Sequence, residues 1–138
     1  MRILIVEDEK VSSQKMKLIM SNFGECDCVA RGDEALNAFQ KAWEMKAPYD
    51  IITLDIFLDD TNGMDVLIEI RKAEDEMRLP QTKKTKIIMV TAQANRDFMT
   101  TCKTAECDGY IVKPFTRETI TICLKEIYLK YVDSVFTV

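Results

Sequence analysis

Short apolar runs alternate along the chain with longer segments in which apolar residues recur at helical spacing. The runs predict five β-strands, over residues 2–6, 26–30, 51–55, 87–91 and 109–112. The first, third and fourth runs are apolar at successive positions, which is typical of strands buried on both faces of a parallel sheet. The third run ends in Asp55 and is followed by a polar turn that closes on Asn62 and Gly63. Asp55 is therefore expected at the carboxyl edge of the sheet, where open α/β folds bind their ligands.

The segments between the runs predict five helices. Gly24 ends the first helix, Pro48 follows the second, the third covers residues 63–77, and the fourth covers residues 95–106. Their core-facing residues are expected to be Met16, Ile19, Met20 and Phe23; Leu36, Phe39, Ala42 and Trp43; Met64, Leu67 and Ile68; Phe98, Cys102 and Ala105; and Ile120, Cys123, Leu124, Ile127 and Tyr131. Five strand–helix units in succession predict a doubly wound α/β domain, with a five-stranded parallel sheet and helices on both of its faces.

The composition fits a single soluble globular domain. The chain has 138 residues, of which 47% are hydrophobic and 30% are charged, and its formal net charge is −4. The negative charge disfavours an electrostatic nucleic-acid binder. No apolar run is long enough to span a bilayer, and the apolar start at residues 1–6 is too short for a signal peptide. The sequence therefore predicts a cytoplasmic protein that binds neither nucleic acid nor membranes.

The chain has five cysteines, at positions 26, 28, 102, 107 and 123, and no histidine. The absence of histidine excludes Ser-His-Asp and Cys-His catalysis by this chain, and zinc sites with histidine ligands. The cysteine spacings match no paired metal-binding motif. We therefore expect reduced thiols that are mostly buried and that pack as small hydrophobic groups.

Polar side chains stand at the ends of four predicted strands. Glu7 and Asp8 follow the first strand, Asp55 ends the third, Thr91 ends the fourth and Lys113 follows the fifth. Because the carboxyl ends of parallel strands lie at one edge of the sheet, these side chains are expected to converge. Carboxylates from two neighbouring strands repel each other, and a hard divalent cation relieves that repulsion. The pattern predicts a Mg²⁺ site with Asp8 and Asp55 as ligands.

The same residues suit phosphoryl transfer. A carboxylate beside a magnesium ion can attack phosphorus and form an acyl phosphate, and this reaction needs little beyond positioning and charge neutralisation. Lys113 offers a positive charge to phosphate oxygens, and the Thr91 hydroxyl offers a hydrogen-bond donor. Each residue alone has a plainer interpretation, such as helix capping for Glu7 and Asp8 or an ordinary strand end for Thr91. Together they predict a site that accepts a phosphoryl group.

The chain resembles the receiver domains of two-component response regulators. The resemblance extends from residue 3 to about residue 131, and it rests on Glu7-Asp8, Asp55, Asn62-Gly63, Thr91-Ala92 and the segment Tyr110-Ile111-Val112-Lys113-Pro114-Phe115, in that order. It implies a flavodoxin-like fold with strand order 2-1-3-4-5. It also implies a receiver domain over residues 1–131, followed by an apolar C-terminal tail over residues 132–138.

The resemblance implies a role for each residue at the strand ends. Asp55 would accept a phosphoryl group from a phosphohistidine on a sensor histidine kinase or a phosphotransfer protein. Asp8, Asp55 and the backbone carbonyl of Phe57 would bind Mg²⁺, and Glu7 would act through a metal-bound water. Lys113 would pair with Asp55 before phosphorylation and with the phosphoryl group after it.

The resemblance also implies a conformational switch. Thr91 would turn to hydrogen-bond the phosphoryl oxygen, and Tyr110 would turn inward into the space that Thr91 leaves. This change would repack the face made by the fourth helix, the fifth strand and the fifth helix, which a downstream protein partner reads. Family members use this face in different ways, so the resemblance does not decide whether the chain forms a homodimer. The peptide bond before Pro114 is expected to be cis, and Gly63 is expected to have a structural role.

Two features depart from the family pattern. Asp59 stands where many members have proline, and Asp60 follows it. These two carboxylates are expected either to form a solvated loop or to affect the cation and the lifetime of the phosphoryl group. The stretch before the fourth strand is longer than usual, and its residues 82–86 are basic. A solvated loop is the plainer interpretation of this stretch, and docking of a kinase or an acidic partner stays open.

Alternatives remain for the tail and for the function. The apolar tail would either form a dimer or partner surface or fold back over its own domain. Because no DNA-binding or other output segment follows, a stand-alone receiver that is not an enzyme beyond its own phosphorylation and dephosphorylation is expected. One alternative is a receiver-like interaction module without phosphorylation, although all the acidic and lysine positions are present. The other is a magnesium-dependent phosphohydrolase, but that class places a second acid where this chain has Phe57.

Overall fold

The computed structural model describes residues 1–92 and 96–136, with side chains described through residue 129. The strands are β1 (Arg2–Val6), β2 (Glu25–Val29), β3 (Ile51–Asp55), β4 (Lys86–Thr91) and β5 (Gly109–Val112). The helices are α1 (Lys10–Met20), α2 (Gly32–Glu44), α3 (Gly63–Glu76), α4 (Arg96–Thr104) and α5 (Arg117–Phe136), and a 3-10 turn, Gln81–Lys83, precedes β4. Within the two described ranges, no helix is both long and apolar enough to cross a membrane.

The strands form one parallel sheet in the order β2-β1-β3-β4-β5. This order confirms the predicted doubly wound, flavodoxin-like fold. The chain moves to one side of β1 to form β2 and then crosses to the other side to form β3, so β1 and β3 flank the point where the winding reverses. Open α/β sheets bind their ligands outside the carboxyl ends of the strands at such a reversal.

The sheet separates two hydrophobic cores. Alternate residues of each central strand face opposite sides, so Leu4 and Val6 of β1 lie in one core whereas Ile3 and Ile5 lie in the other. The first core contains buried residues of α2, α3 and α4, and the second contains buried residues of α1 and α5. Both faces of the central strands are therefore covered, which explains why their sequences are apolar at successive positions.

A buried network of ion pairs lies at the amino-terminal edge of the sheet, opposite the carboxyl edge. The Arg71 guanidinium lies 2.6 Å from a carboxylate oxygen of Glu74 and 2.8 Å from one of Asp108. Arg71 also donates to the backbone carbonyl of Glu106 at 2.9 Å, and the N–H of Thr85 donates to Glu74 at 2.7 Å. The network thus joins α3 to the residues that precede β4 and β5.

The basic segment 82–86 is partly anchored to the same edge. The Lys84 ammonium lies 3.0 Å from a carboxylate oxygen of Asp75, and its side chain is only 12% exposed. Thr85 is buried. The interpretation of the segment as a plain solvated loop is therefore wrong for these two residues, and docking of a partner there stays a prediction.

Two side chains that were predicted to face the core are exposed instead. Ile68 is 50% exposed, because it follows the buried Leu67 and consecutive helix residues point about 100° apart. Phe23 is 37% exposed, because α1 ends at Met20 and the turn that follows takes Phe23 off the helix. β2 and β4 each begin one residue earlier than predicted.

The last two helices end at residues other than those predicted. α4 ends at Thr104, shortly before Glu106 adopts a left-handed backbone conformation with φ of 64°. The predicted start of α4 at Asn95 lies outside the described residues. α5 continues to Phe136, so the backbone of residues 132–136 in the predicted tail is helical. The side chains of Tyr131 and of the tail lie outside the described residues, and both interpretations of the tail stay predictions.

Cys102 and Cys107 are joined by a disulfide, which corrects the expectation of reduced thiols. The turn that ends α4 brings the two residues together, because the N–H of Cys107 donates to the carbonyl of Cys102 at 3.0 Å. Their Cα atoms are 5.4 Å apart, within the range that a disulfide spans. Among the free cysteines, Cys123 is buried and Cys26 is half-buried, but Cys28 is exposed, contrary to the expectation of mostly buried thiols.

Candidate functional site

The ends of four strands meet at the carboxyl edge of the sheet. In the parallel register, Asp55 of β3 lies beside Val90 of β4, and Thr91 lies beside Val112 of β5. On the side away from β4, β3 pairs with β1. The polar residues at or just after these ends are Glu7, Asp8, Asp55, Thr91 and Lys113.

Three carboxylates form the centre of this edge. One oxygen each from Glu7, Asp8 and Asp55 lies within 4.8 Å of the other two. Glu7 and Asp55 are buried, at 6% and 5% exposure, and Asp8 is half-buried. Magnesium prefers hard oxygen ligands, and it is commonly held by one or two carboxylates together with water and phosphate oxygens. The donor set therefore fits the predicted Mg²⁺ ion.

The Lys113 ammonium bridges two of the carboxylates. Its Nζ lies 2.8 Å from Oδ2 of Asp55 and 2.5 Å from Oε1 of Glu7, and the peptide bond between Lys113 and Pro114 is cis. Burial lowers the pKa of Lys113, but the hydrogen bonds to Asp55 and Glu7 outweigh that effect and the pKa is raised overall. One ammonium against three carboxylates leaves an excess of negative charge, which a divalent cation would balance.

The crowding of charged groups changes the pKa of Glu7. Burial raises the pKa of Glu7 from 4.5 to about 7, and its hydrogen bond with Asp55 acts in the same direction. The contact with Lys113 and the hydrogen bond from the N–H of Glu9 act in the opposite direction. Two neighbouring buried carboxylates avoid repulsion when they share a proton. Burial and the neighbouring Asp55 therefore favour the protonated form of Glu7 in the absence of a cation.

The turn after β3 orients the Asp55 carboxylate. The N–H of Phe57 donates to Oδ1 of Asp55 at 3.1 Å. Gly63 approaches the Asp55 backbone so closely that an added Cβ would lie 2.1 Å from the Asp55 carbonyl oxygen. The Asn62 side chain caps α3 by accepting a backbone N–H at 2.8 Å. The Asn-Gly pair thus starts α3 directly beside Asp55.

Thr91 and Tyr110 differ in their exposure. Thr91 is buried at the end of β4, and its carbonyl accepts the N–H of Lys113 at 2.7 Å. Tyr110 is 39% exposed. Its ring packs edge-on against Phe98 with 6.2 Å between centroids, and its hydroxyl lies 3.7 Å from the sulfur of Met99. The Tyr110 ring therefore contacts α4 near the surface in this structure.

The loop between β3 and α3 contains two acidic residues whose roles the sequence left open. Asp60 is not a solvated loop side chain, because its carboxylate accepts the N–H of Gly32 at 2.8 Å and that of Asp33 at 3.0 Å. The bond from Gly32 is the main cause that lowers the pKa of Asp60. Asp59 is exposed, and its side-chain hydrogen bond with Asp8 raises the pKa of Asp59. No motif marked the link between Asp60 and α2, which joins residues 28 positions apart.

Comparisons with proteins of known sequence match this chain along most of its length. The family model described as the response regulator receiver domain matches residues 3–125. Chemotaxis protein CheY-3 of Vibrio cholerae serotype O1 is 30% identical over 128 residues, which cover 93% of this chain and 92% of that protein. The transcriptional regulatory protein CusR of Escherichia coli K12 is 33% identical over 115 residues, which cover 83% of this chain and 45% of CusR. The hybrid signal transduction histidine kinase L of Dictyostelium discoideum is 32% identical over 131 residues, covering 94% of this chain and 7% of the kinase.

Solved structures show the same architecture. Chemotaxis protein CheY4 of Vibrio cholerae superposes with a TM-score of 0.75 at 28% identity, covering 91% of this chain and 97% of that one. A CheY-like receiver protein from Methanospirillum hungatei superposes with a TM-score of 0.76 at 25% identity, covering 96% of this chain and 97% of that one. The similarity to these solved structures agrees with the strand order of the sheet. This chain belongs to the response regulator receiver domain family.

Proposed function

We propose that this receiver domain accepts a phosphoryl group on Asp55 from a phosphohistidine of a sensor histidine kinase or a phosphotransfer protein. The position of the Asp55 carboxylate carries the proposal. One oxygen accepts the N–H of Phe57, the other contacts the Lys113 ammonium at 2.8 Å, and carboxylate oxygens of Glu7 and Asp8 lie within 4.8 Å. The similarity to a segment of a hybrid histidine kinase supports a histidine kinase as the donor.

The acidic cluster would hold a magnesium ion. Asp8, Asp55 and the backbone carbonyl of Phe57 would be direct ligands, and Glu7 would act through a water molecule. When bound, the ion would supply positive charge that neutralises the phosphoryl oxygens during transfer. The three oxygen donors and their excess of negative charge support this assignment.

The residues at the strand ends would then carry out the transfer. An Asp55 oxygen attacks the phosphorus atom in line with the bond to the donor imidazole. A new P–O bond forms while the P–N bond breaks, and the electron pair of that bond stays on the imidazole nitrogen. Lys113, which contacts Asp55 beforehand, then contacts a phosphoryl oxygen.

Thr91 and Tyr110 would pass the change on to a partner surface. Thr91 would hydrogen-bond the phosphoryl oxygen, and Tyr110 would leave its contacts with α4 and turn inward. The face made by α4, β5 and α5 would then bind a downstream protein, or a second copy of the chain. Met99, Tyr110 and Ile122, which are between 39% and 51% exposed, line a groove of about 330 Å³ on this face. Exposed apolar residues grouped in this way suit protein contacts.

The proposal is tested by intact-mass measurement after incubation with acetyl phosphate, with and without magnesium. We expect a single phosphoryl adduct that requires magnesium, is lost at alkaline pH and is absent from Asp55→Asn. If there is neither an adduct nor consumption of the donor, the chain is an interaction module that works without phosphorylation. Steady consumption of phosphate monoesters by the wild type but not by Asp55→Asn would instead indicate a phosphohydrolase.

A further inference from the structure

The Asp60 carboxylate connects the loop after β3 to the start of α2. Its Oδ1 accepts the N–H of Gly32 at 2.8 Å, and its Oδ2 accepts the N–H of Asp33 at 3.0 Å. The Asp60 side chain is 13% exposed, and its Oδ2 lies 3.8 Å from the Arg31 guanidinium. Each carboxylate oxygen therefore binds one of the two backbone N–H groups, which fixes the side chain in both position and rotation.

Asp60 supplies a cap that α2 lacks in its own sequence. The residue at the N-cap position is Arg31, whose side chain makes no capping hydrogen bond. The first N–H groups of a helix have no partner within the helix, and an acidic side chain is a favourable partner for them. Gly32 lets the loop come this close, because an added Cβ would lie 2.3 Å from a methyl carbon of Thr61. The loop and the start of α2 are thus in direct contact next to the carboxylate.

The loop that Asp60 holds is the one that carries Phe57. At its start, the N–H of Phe57 donates to Asp55, and at its end the N–H of Gly63 donates to the carbonyl of Ile56 at 2.6 Å. Between them, the N–H of Leu58 donates to the carbonyl of Thr61 at 3.2 Å, a bond within the loop itself. The two bonds to α2 join the outer turn of the loop to the body of the domain, together with the hydrogen bond between Asp59 and Asp8 and the packing of Leu58 against the core.

We propose that Asp60 is a positioning residue for the cation site, which fixes the loop after β3 so that the backbone carbonyl of Phe57 is held ready as a ligand. The inference rests on the proposed function, because it assumes that Mg²⁺ binds at Asp8, Asp55 and the backbone carbonyl of Phe57. Asp60 itself does not touch the cation or the phosphoryl group. Its contribution is to reduce the number of loop conformations that must be given up when the ion binds.

The test is the magnesium dissociation constant, measured by isothermal titration calorimetry on the unphosphorylated full chain. We expect Asp60→Ala to weaken magnesium binding about tenfold, the lower end of the range for residues that support metal ligands. Asp60→Asn keeps one acceptor oxygen. Its magnesium dissociation constant should therefore lie between those of Asp60→Ala and the wild type. Asp33→Asn is the matched control, because it removes the same charge from the same helix end at an exposed side chain. It should bind magnesium as the wild type does.

The rate of phosphorylation by acetyl phosphate gives a second readout. We expect Asp60→Ala to need about tenfold more magnesium for its half-maximal rate, while its rate at saturating magnesium approaches that of the wild type. A role limited to capping α2 would lower the melting temperature but leave the magnesium constant unchanged, and that result overturns the inference. If Asp60→Ala does not fold, an unchanged constant in Asp60→Asn overturns it equally. Failure of the proposed function is distinct, because the wild type itself would then bind no magnesium or form no adduct.

Discussion

Lys113 and Asp55 are 58 residues apart in the chain, yet their side chains meet through a 2.8 Å contact between Nζ and Oδ2. The contact spans the carboxyl edge of the sheet from the end of β5 to the end of β3, with β4 between them. Lys113 also contacts Glu7, the residue that follows β1. A single ammonium thus links three strands around the proposed phosphoryl acceptor.

Removal of this ammonium should slow phosphorylation. Lys113→Ala leaves the phosphoryl oxygens without the positive charge that stabilises them in the transition state. We expect the rate of adduct formation with acetyl phosphate at saturating magnesium to fall about 100-fold, as for other losses of a charge-stabilising donor. Lys125→Ala, at an exposed position of α5, is the control. A rate for Lys113→Ala equal to that of the wild type would show that this lysine has no part in the transfer.

Glu7 should make the stability of the metal-free protein depend on pH. Its pKa is about 7 in the folded protein against 4.5 as the ordinary value, so the folded state binds the proton more tightly. The contribution of Glu7 to the free energy of unfolding is therefore fully present below pH 4.5 and is lost as the pH rises through about 7. After allowance for solvent screening, the loss due to Glu7 should be about 2 kcal/mol.

Urea unfolding in the presence of a chelator, at a series of pH values, measures this effect. Glu7→Gln mimics the protonated side chain at every pH, so it should remove the decline between pH 4.5 and 7 and be more stable than the wild type at pH 8. Glu25→Gln makes the same charge change at an exposed position and should keep the decline. The assignment to Glu7 is wrong if Glu7→Gln and the wild type lose stability in parallel.

The network at the amino-terminal edge should contribute strongly to stability without affecting the chemistry. Glu74→Ala leaves the buried Arg71 guanidinium without its 2.6 Å partner inside the helix, and we expect the free energy of unfolding to fall by about 3–5 kcal/mol. Glu76→Ala, at an exposed position of the same helix, should change it little. Well below the melting temperature, Glu74→Ala should still form the phosphoryl adduct. A small effect of Glu74→Ala on urea unfolding would contradict this account of the edge.

The disulfide predicts a thiol count that depends on reduction. In denaturant, three of the five cysteines should react with a thiol reagent before reduction, and all five after it. Because the bridge closes a loop of only a few residues, its loss in the double variant Cys102→Ala and Cys107→Ala should lower the free energy of unfolding by about 2 kcal/mol. Cys28→Ser should lower the thiol count by one and leave the bridge intact. Five reactive thiols before reduction would show that the bridge does not form.

The residues at the strand ends could be identified from sequence because parallel strands have a simple geometry. A buried strand is mostly apolar, so a polar or charged residue after its last apolar position marks its end, and all such ends lie along one edge. This geometry alone predicts that Asp55, Thr91 and Lys113 lie near one another. The contact between Lys113 and Asp55 then follows from the strand order.

The contacts that the sequence did not reveal depend on the detailed path of turns. The sequence does not reveal the role of Asp60, because its partners are the backbone N–H groups of Gly32 and Asp33. Every residue except proline offers such a group, and these two lie far away in the chain. The disulfide was missed because it depends on the left-handed backbone of Glu106, which residue type alone does not predict. The prediction for Ile68 fails because residue type alone does not show which of two consecutive apolar helix residues, Leu67 or Ile68, faces the core.

If Asp55 becomes an acyl phosphate, chemical identification of the modified residue will show it. Sodium borohydride reduces an aspartyl phosphate to homoserine, so the chain would be treated with acetyl phosphate and magnesium, reduced, and sequenced by tandem mass spectrometry. The account predicts homoserine at position 55, and none at positions 8, 59 or 60. Homoserine at one of those other positions, or unmodified Asp55 in a sample whose intact mass shows a phosphoryl adduct, would contradict it.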